Sequence, residues 1–358
     1  MNEIKVDIAD GNYSVLIGSN ILITENLELI RDKEVLLVMD EQIPFKYKDL
    51  IIKELTNLAS NFHQLELHAS EENKSGITLD IIHSKLIEER YSRDCILVGL
   101  GGGITCDIVG FAAATYQRGV DFMLLPSTLL SQVDASVGGK TAINHPQGKN
   151  MIGAFHQPIK VLADVDLLSC LSAKEISNGL SEVVKHALIS DKKYFDWLEM
   201  NLEEVVSLEP NALQHAITRS IEIKAEIVSE DEKERGIRKL LNFGHTFGHA
   251  IELYGEFKEF SHGQSVALGM LMAMELSKIC EGFPEEHLNK AKNLIIKSNP
   301  NLSLAYVFDE KKLIKNMSVD KKRSGNELSF ILLEKIGQAK VKKGIDISKI
   351  TKAIQTLA

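Results

Sequence analysis

The sequence predicts an α/β half followed by an all-α half, and three observations predict it. Short apolar runs of strand length recur up to about residue 165, separated by segments whose apolar residues fall at helical spacing. A glycine cluster follows one of these runs at once, as in strand-to-helix turns of parallel sheets. From about Leu167 onward the runs give way to long stretches with helical period.

The N-terminal MNEIKVDIADGNYSVLIG alternates polar and apolar residues and predicts a strand pair. Val35 to Asp40 (VLLVMD) is a buried-strand run ending in an acid, Phe62 to His68 alternates, and Ile77 to Glu89 has helical spacing. Cys95 to Leu100 (CILVGL) is a further buried strand, Gly101-Gly102-Gly103 follow, and Cys106 to Thr115 reads as a helix. Asp121 to Leu125 and Val161 to Ala163 complete a largely parallel, doubly wound sheet. Beyond it, Ala173 to Ser190, Leu213 to Ser229, Ile237 to Leu253, Gly263 to Cys280 and Glu285 to Lys297 predict helices. The polar stretch Asp320 to Glu327 precedes a predicted late strand, Leu328 to Leu333. The shift in pattern sets the predicted domains at 1–165 and 166–358, without internal repeat or low-complexity segment.

A chain of 358 residues with 44% hydrophobic and 25% charged residues can bury a large core without disulfides. Its four cysteines (Cys95, Cys106, Cys170, Cys280) are scattered with no CxxC spacing, which argues for a reducing compartment and against a zinc ribbon. A net charge of -9 speaks against a nucleic-acid partner, although local cationic clusters still suit a small anion. No apolar run reaches the ~18 residues of a membrane span, and the N-terminus lacks the order of a signal peptide. The expected location is the cytoplasm, with no membrane partner.

Three stretches point to chemistry. Gly101-Gly102-Gly103, between a strand and a helix, would let backbone approach a pyrophosphate at a helix N-terminus. The pattern is not GxGxxG, and a tight turn without ligand is the plain alternative; Asp40 at an earlier strand end could accept a ribose hydroxyl. LNFGHTFGHAIE (241–252) places His245 and His249 four apart on one helical face, each preceded by a glycine that leaves room for a ligand or another helix. His262 opens a further helix, and Glu182 lies three residues before Lys185 in GLSEVVKHALI, so nitrogen and oxygen ligands on separate helices suggest a catalytic metal. Finally, the long polar stretch from Pro126 to Pro158 sets Lys140 after Gly138-Gly139 and Lys149 after Gly148, beside Asn150, which suits anion binding; it lacks a Walker motif. Arg118, Lys224 and Arg238 add positive charge near these motifs.

Together GGGITCDIVGFAAATYQRG (101–119), LPSTLLSQVDASVGGKTAINHPQGKNMIGAF (125–155), GLSEVVKHALI (179–189), LNFGHTFGHAIE (241–252), HGQSVALGM (262–270) and the late Asp320-Lys321-Lys322 closely resemble the 3-dehydroquinate synthase family of sugar-phosphate cyclases. The resemblance implies an N-terminal Rossmann-like domain and a C-terminal α-helical domain, an active site in the cleft between them, and a homodimer. It implies metal ligands at Glu182, His245 and His262, for Zn2+ or Co2+, which moves His249 from ligation to the substrate phosphate. NAD would meet Asp40, Glu71, Lys74, the turn of Gly101, Gly102, Gly103, Ile104, Thr105, Cys106 and Asp107, then Ser127, Thr128, Lys140 and Lys149, with Leu167, Leu168, Ser169 and Cys170. The phosphate of a sugar-acid phosphate would meet Lys140, Asn150, His249, Lys322 and Arg118 from a neighbouring subunit. The carboxylate would meet Lys224 and Arg238 with Asn242 nearby, while Asp134 and Lys185 line the reacting centre. Two positions depart from the pattern: Cys106 stands where relatives usually have glycine, and Ala69-Ser70 replaces an Asp-Gly.

The implied reaction converts 3-deoxy-arabino-heptulosonate 7-phosphate to 3-dehydroquinate and phosphate, with a hydride lent to NAD and returned within one turnover. Arg238 and Asn242 argue against cyclases of uncharged sugar phosphates, and the lysine-rich stretch argues against a polyol dehydrogenase. A scaffold that merely kept the fold would need a broken site, and every implied ligand is present.

Overall fold

The structure, a computed structural model, describes residues 1–8, 11–324 and 328–356, with the side chains of 318–324 outside the description. Its contacts divide the chain into two units: Met1–Ser172 with Leu213–Glu232, and Ala173–Ala212 with Lys233–Ala358.

The first unit is built from β1 (Asn2–Val6), β2 (Tyr13–Gly18), β3 (Glu34–Asp40), α1 (Phe45–Leu58), β4 (Asn61–Leu67), α2 (Gly76–Glu88), β5 (Ile96–Gly101), α3 (Gly103–Thr115), β6 (Asp121–Pro126), β7 (Lys140–His145), β8 (Gly148–Phe155) and β9 (Lys160–Asp164). Its main sheet has the order β1-β2-β9-β6-β5-β3-β4. All neighbouring pairs are parallel except β1 with β2, the N-terminal strand pair. The apolar runs of β3, β5, β6 and β9 are buried almost throughout, as strands covered on both faces must be. The chain leaves β3 for β4 on one side and returns to β5 on the other. That reversal opens a crevice at the carboxyl ends of β3 and β5, the place where open α/β sheets bind ligands.

The stretch from Pro126 to Pro158 differs from the long polar loop that the sequence predicts. Residues 131–135 form one π-helical turn, and β7 pairs with β8 as an antiparallel hairpin from Lys140–Phe155 to His145–Gly148. β8 is mostly exposed, so no apolar alternation marks it in the sequence.

The second unit begins with α4 (Ala173–Ser190) and α5 (Lys192–Val206). The following helix, α6 (Pro210–Glu230), lies mostly in the stretch that clusters with the first unit, so the predicted second domain is not one continuous stretch. The contact boundary also falls after Ser172 rather than at 165, beyond a 3-10 helix at Val165–Cys170. The unit continues with α7 (His245–Tyr254), α8 (His262–Glu281), α9 (Glu285–Ser298), α10 (Glu310–Ser324), β10 (Ser329–Lys335), β11 (Gln338–Lys343) and α11 (Ile347–Gln355). The predicted single late strand is therefore one arm of a hairpin.

The predicted helix Ile237 to Leu253 is broken. Ile237–Asn242 is a 3-10 helix, and Gly244 then turns the chain with φ of +79°, which a side chain would strain. Among the described residues no helix is long and apolar enough to cross a membrane.

Candidate active site

From Leu180 to Ile189 every residue of α4 is buried, so its polar members need partners inside the unit. Glu182 (0% exposed) and Lys185 (1%) are one turn apart, and the ammonium rests directly on the carboxylate. His245, the first residue of α7, and His262, the first of α8, close on the same carboxylate. Their Nε2 atoms lie 3.6 and 3.5 Å from Glu182 Oε1, and one donor atom from each of the three residues lies within 4.8 Å of the others.

The opposite ring nitrogens are held. His245 Nδ1 is 3.2 Å from the Phe243 carbonyl oxygen, and His262 Nδ1 is 3.1 Å from Glu252 Oε1. Those Nδ1 contacts leave each Nε2 facing Glu182, the ring orientation that metal-binding histidines use once Nε2 gives up any proton it carries. Both Glu182 oxygens are buried: Oε2 carries the Lys185 ammonium, and Oε1 faces the two histidine nitrogens. Open lone pairs beside two imidazole nitrogens fit a divalent cation such as zinc or cobalt.

Packing fixes this geometry through the backbone. Ser261 and Gln264 form a reciprocal cap at the start of α8. A Cβ on Gly263 would sit 2.4 Å from Asn178 Cα, so only glycine lets the first turn of α8 lie against α4. The glycines before His245 and His249 likewise make room for α8. His249 is exposed, its ring centroid 5.4 Å from that of His245, and it stands outside the donor group. His262, which spacing alone did not pair with His245, is the residue the fold brings in.

Electrostatics separates the three donors. Burial and the Lys185 ammonium push His245 down to about 3, so its ring is neutral. Burial opposes charge on His262 too, but hydrogen bonds to Glu182 and Glu252 raise it to about 10. Burial disfavours charge on Glu182, yet Lys185 and the two histidines hold the carboxyl well below its ordinary range.

Arg238 lies in the 3-10 helix at Ile237–Asn242 and is 1% exposed, so it does not belong to a solvated charged run. Asn242 ends the same helix, and its Nδ2 donates to Glu234 Oε1 at 2.6 Å.

In the first unit Gly101 ends β5, Gly102 precedes α3, and Gly103, Ile104, Thr105, Cys106 and Asp107 form its opening turns. Free amides and the positive dipole end thus face the crevice beside β3. The Ser127 amide donates to the Gly101 carbonyl at 2.9 Å, and Thr128 stands against Gly102. Asp40 closes β3 and accepts from the Gln42 amide at 3.0 Å; burial pushes its carboxyl up, opposed by the Gln42 and Ala69 amides. The Ala69 departure is therefore mild, since the backbone supplies the bond. Leu167 and Leu168 are buried, whereas Ser169 and Cys170 are exposed, so the leucines turn their side chains inward. Burial also pushes the Cys106 thiol up, away from the reactive range.

Lys74 is buried between α3 and the hairpin. Its ammonium contacts the Asp107 carboxylate and lies 2.5 Å from Asn150 Oδ1, while Asn150 has φ of +54° and donates its amide to Asn144 Oδ1 at 2.9 Å. Asn144 Nδ2 donates to Glu71 Oε1 at 2.6 Å, and Lys149 Nζ is 3.6 Å from the same oxygen. Lys140 opens β7 and is exposed. Lys224, on α6, binds the carboxylate of Asp134 on the π-helical turn. Arg118 is exposed, with φ of +68° between Gln117 at +49° and Gly119 at +123°. Lys321 and Lys322 lie outside the described side chains. Glu252 and Asn144 are partners that sequence reading passed over; the one available signal was an acid two turns after His245, flanked by Ile251 and Leu253.

Two family models match consecutive parts of the chain and meet inside α4. The family model for the 3-dehydroquinate synthase N-terminal region matches residues 64–178, and that for the C-terminal region matches 179–323. A curated 3-dehydroquinate synthase from Nitrosococcus oceani is 42% identical over 348 residues, 97% of this chain and 96% of the relative. A solved 2-deoxy-scyllo-inosose synthase, complexed with carbaglucose-6-phosphate, NAD+ and Co2+, is 25% identical with a TM-score of 0.90, covering 99% of this chain and 100% of the other. A 2-epi-5-epi-valiolone synthase from Streptomyces hygroscopicus with NAD+ and Zn2+ bound is likewise 25% identical with a TM-score of 0.90, covering 98% of each chain. The fold, the buried donor group and a match of this extent lead to one assignment: the chain belongs to the 3-dehydroquinate synthase family.

Proposed function

We propose that the chain converts 3-deoxy-arabino-heptulosonate 7-phosphate to 3-dehydroquinate and phosphate, using NAD and one divalent metal, zinc or cobalt. The observation that carries this reading is the buried Glu182, His245 and His262 group within a chain of this family. Bound NAD would supply a reversible hydride acceptor, and the metal would supply a Lewis acid at the oxygen of the alcohol whose carbon is oxidised.

The chain's own residues hold the substrate and cofactor. Glu182, His245 and His262 hold the metal. Asp40, the turn from Gly101 to Asp107, Ser127, Thr128, Glu71, Lys74 and Lys149 hold NAD, with backbone at Leu167 to Cys170. Lys140, Asn150, His249 and Lys322 hold the phosphate. Lys224, Arg238 and Asn242 hold the carboxylate, and Asp134 and Lys185 border the reacting carbons. Cationic groups at both anionic ends keep one flexible substrate in register through several steps, which lowers the entropic part of each barrier. Lys185 Nζ, buried against Glu182, keeps that carboxylate ionised and aimed at the metal. The enzyme acts as a cytoplasmic homodimer in which Arg118 reaches the neighbouring subunit's phosphate; its strained, exposed turn supports such a role.

A second reading, a cyclase of uncharged sugar phosphates, is favoured by the solved inosose and valiolone synthases. Arg238 and Asn242 in the segment assigned to the carboxylate weigh against it, since a guanidinium fork matches a carboxylate rather than an uncharged sugar. Parallel incubations with the heptulosonate phosphate and with glucose 6-phosphate, each with NAD and zinc, decide between them: 3-dehydroquinate from the first supports the first reading, and turnover of the second supports the other.

A further inference from the structure

We infer that Glu252 is a positioning residue for the metal, acting through His262 by fixing which ring nitrogen carries the hydrogen and where the ring points. The inference rests on the reading that Glu182, His245 and His262 hold a divalent metal. His262 sits between two carboxylates, Glu182 on its Nε2 side at 3.5 Å and Glu252 on its Nδ1 side at 3.1 Å. Glu252 belongs to α7, two turns beyond His245, so one short helix supplies one proposed ligand and the group that orients another. It is 6% exposed, and a buried carboxylate is costly unless a donor meets it.

The two histidines are held differently. His245 Nδ1 faces a neutral backbone carbonyl, whereas His262 Nδ1 faces an acid. His262 also has more need of support, because its side chain is 34% exposed against 11% for His245. Packing locks the first ring, and the Glu252 bond locks the second. An anionic acceptor at Nδ1 also makes Nε2 the stronger electron donor, and loss of such an outer partner typically costs ~10–100-fold in metal affinity.

The test is zinc affinity by chelator competition in the full-length protein, for wild type, Glu252→Gln and Glu252→Ala, together with visible spectra of the cobalt-loaded forms. Gln keeps an acceptor without the charge and nearly the same volume, so it guards against misfolding of the Ala variant. The expected order is wild type, then Gln, then Ala, with the Ala variant weaker by ~10–100-fold and its cobalt bands shifted. NAD affinity should stay at the wild-type value in both variants, and the cobalt bands should move even in the Gln variant, which a merely structural acid would leave unchanged. Wild-type zinc affinity and unchanged cobalt spectra in both variants would overturn the inference while leaving the metal reading intact. A wild-type protein that binds no zinc would remove both.

Discussion

The ammonium of Lys185 rests on the carboxylate of Glu182 one turn earlier in α4, and neither side chain reaches solvent beyond 1%. Such a pair is destabilising when one half is removed, because the remaining charge is stranded. Lys185→Met should therefore cost the metal-free protein roughly 3–5 kcal/mol. Zinc should recover a larger part of that loss in the variant than it adds to wild type, since a bound cation gives Glu182 a new partner. Melting points with and without zinc check this. Equal zinc-induced shifts in both proteins would contradict a shared position for the ammonium and the metal.

Metal binding should release about one proton near pH 8, where a ligand histidine must give up its charge. His262, raised to about 10, is charged in the metal-free protein, whereas His245, lowered to about 3, and the ionised Glu182 have no proton to lose. Calorimetry in buffers of different ionisation enthalpy counts the proton. The sign for stability follows from the same shift. The His262 contribution is full below its ordinary 6.5 and fades as pH rises through about 10, so the metal-free protein should lose stability toward alkaline pH.

In the proposed function Arg238 holds the substrate carboxylate. A guanidinium offers two parallel donors to a carboxylate, so Arg238→Ala should cost ~2–5 kcal/mol in transition-state binding. At ~1.4 kcal/mol per tenfold, kcat/KM falls by roughly thirty- to several-thousand-fold. Zinc content and NAD affinity should hold. Arg238→Lys keeps the charge without the fork and should recover only part of the loss.

Cys106, one of the two departures from the family pattern that the resemblance implies, lies inside α3 at 2% exposure with its Sγ 4.0 Å from the Gly101 carbonyl. Cys106→Gly should lower stability by about 1 kcal/mol, the helix cost of glycine, and leave NAD affinity unchanged. Calorimetry for the first and a cofactor titration for the second check it. In the native protein thiol reagents should modify exposed Cys170 before Cys106 or Cys95.

Much of the frame was legible because burial writes itself into periodicity. The predicted helix Ala173 to Ser190 agrees with α4 at both ends, and the runs VLLVMD and CILVGL mark β3 and β5 because both faces of those strands are covered. The exposed hairpin β7–β8 has no such signature, and the break at Gly244 is hidden because the apolar period continues across it. Helices α1, α5, α10 and α11 also escaped the sequence reading, as did the placement of most of α6 in the first unit. In the site, residue types were readable and partners were not. A Lys and an Asp 33 positions apart reveal nothing of the Lys74–Asp107 contact, nor does GHAIE reveal that its acid meets His262. Tertiary approach, not local pattern, makes those pairs.

The central claim, that this chain lends a hydride to NAD and takes it back while expelling phosphate, is tested most directly in one reaction vessel. Purified protein loaded with zinc is given the heptulosonate phosphate and a trace of NAD, and free phosphate and absorbance at ~340 nm are followed together. Many equivalents of phosphate per NAD are expected, with no net rise in absorbance. Reduced cofactor accumulating in step with product, or turnover that stops once the NAD is spent, would contradict it.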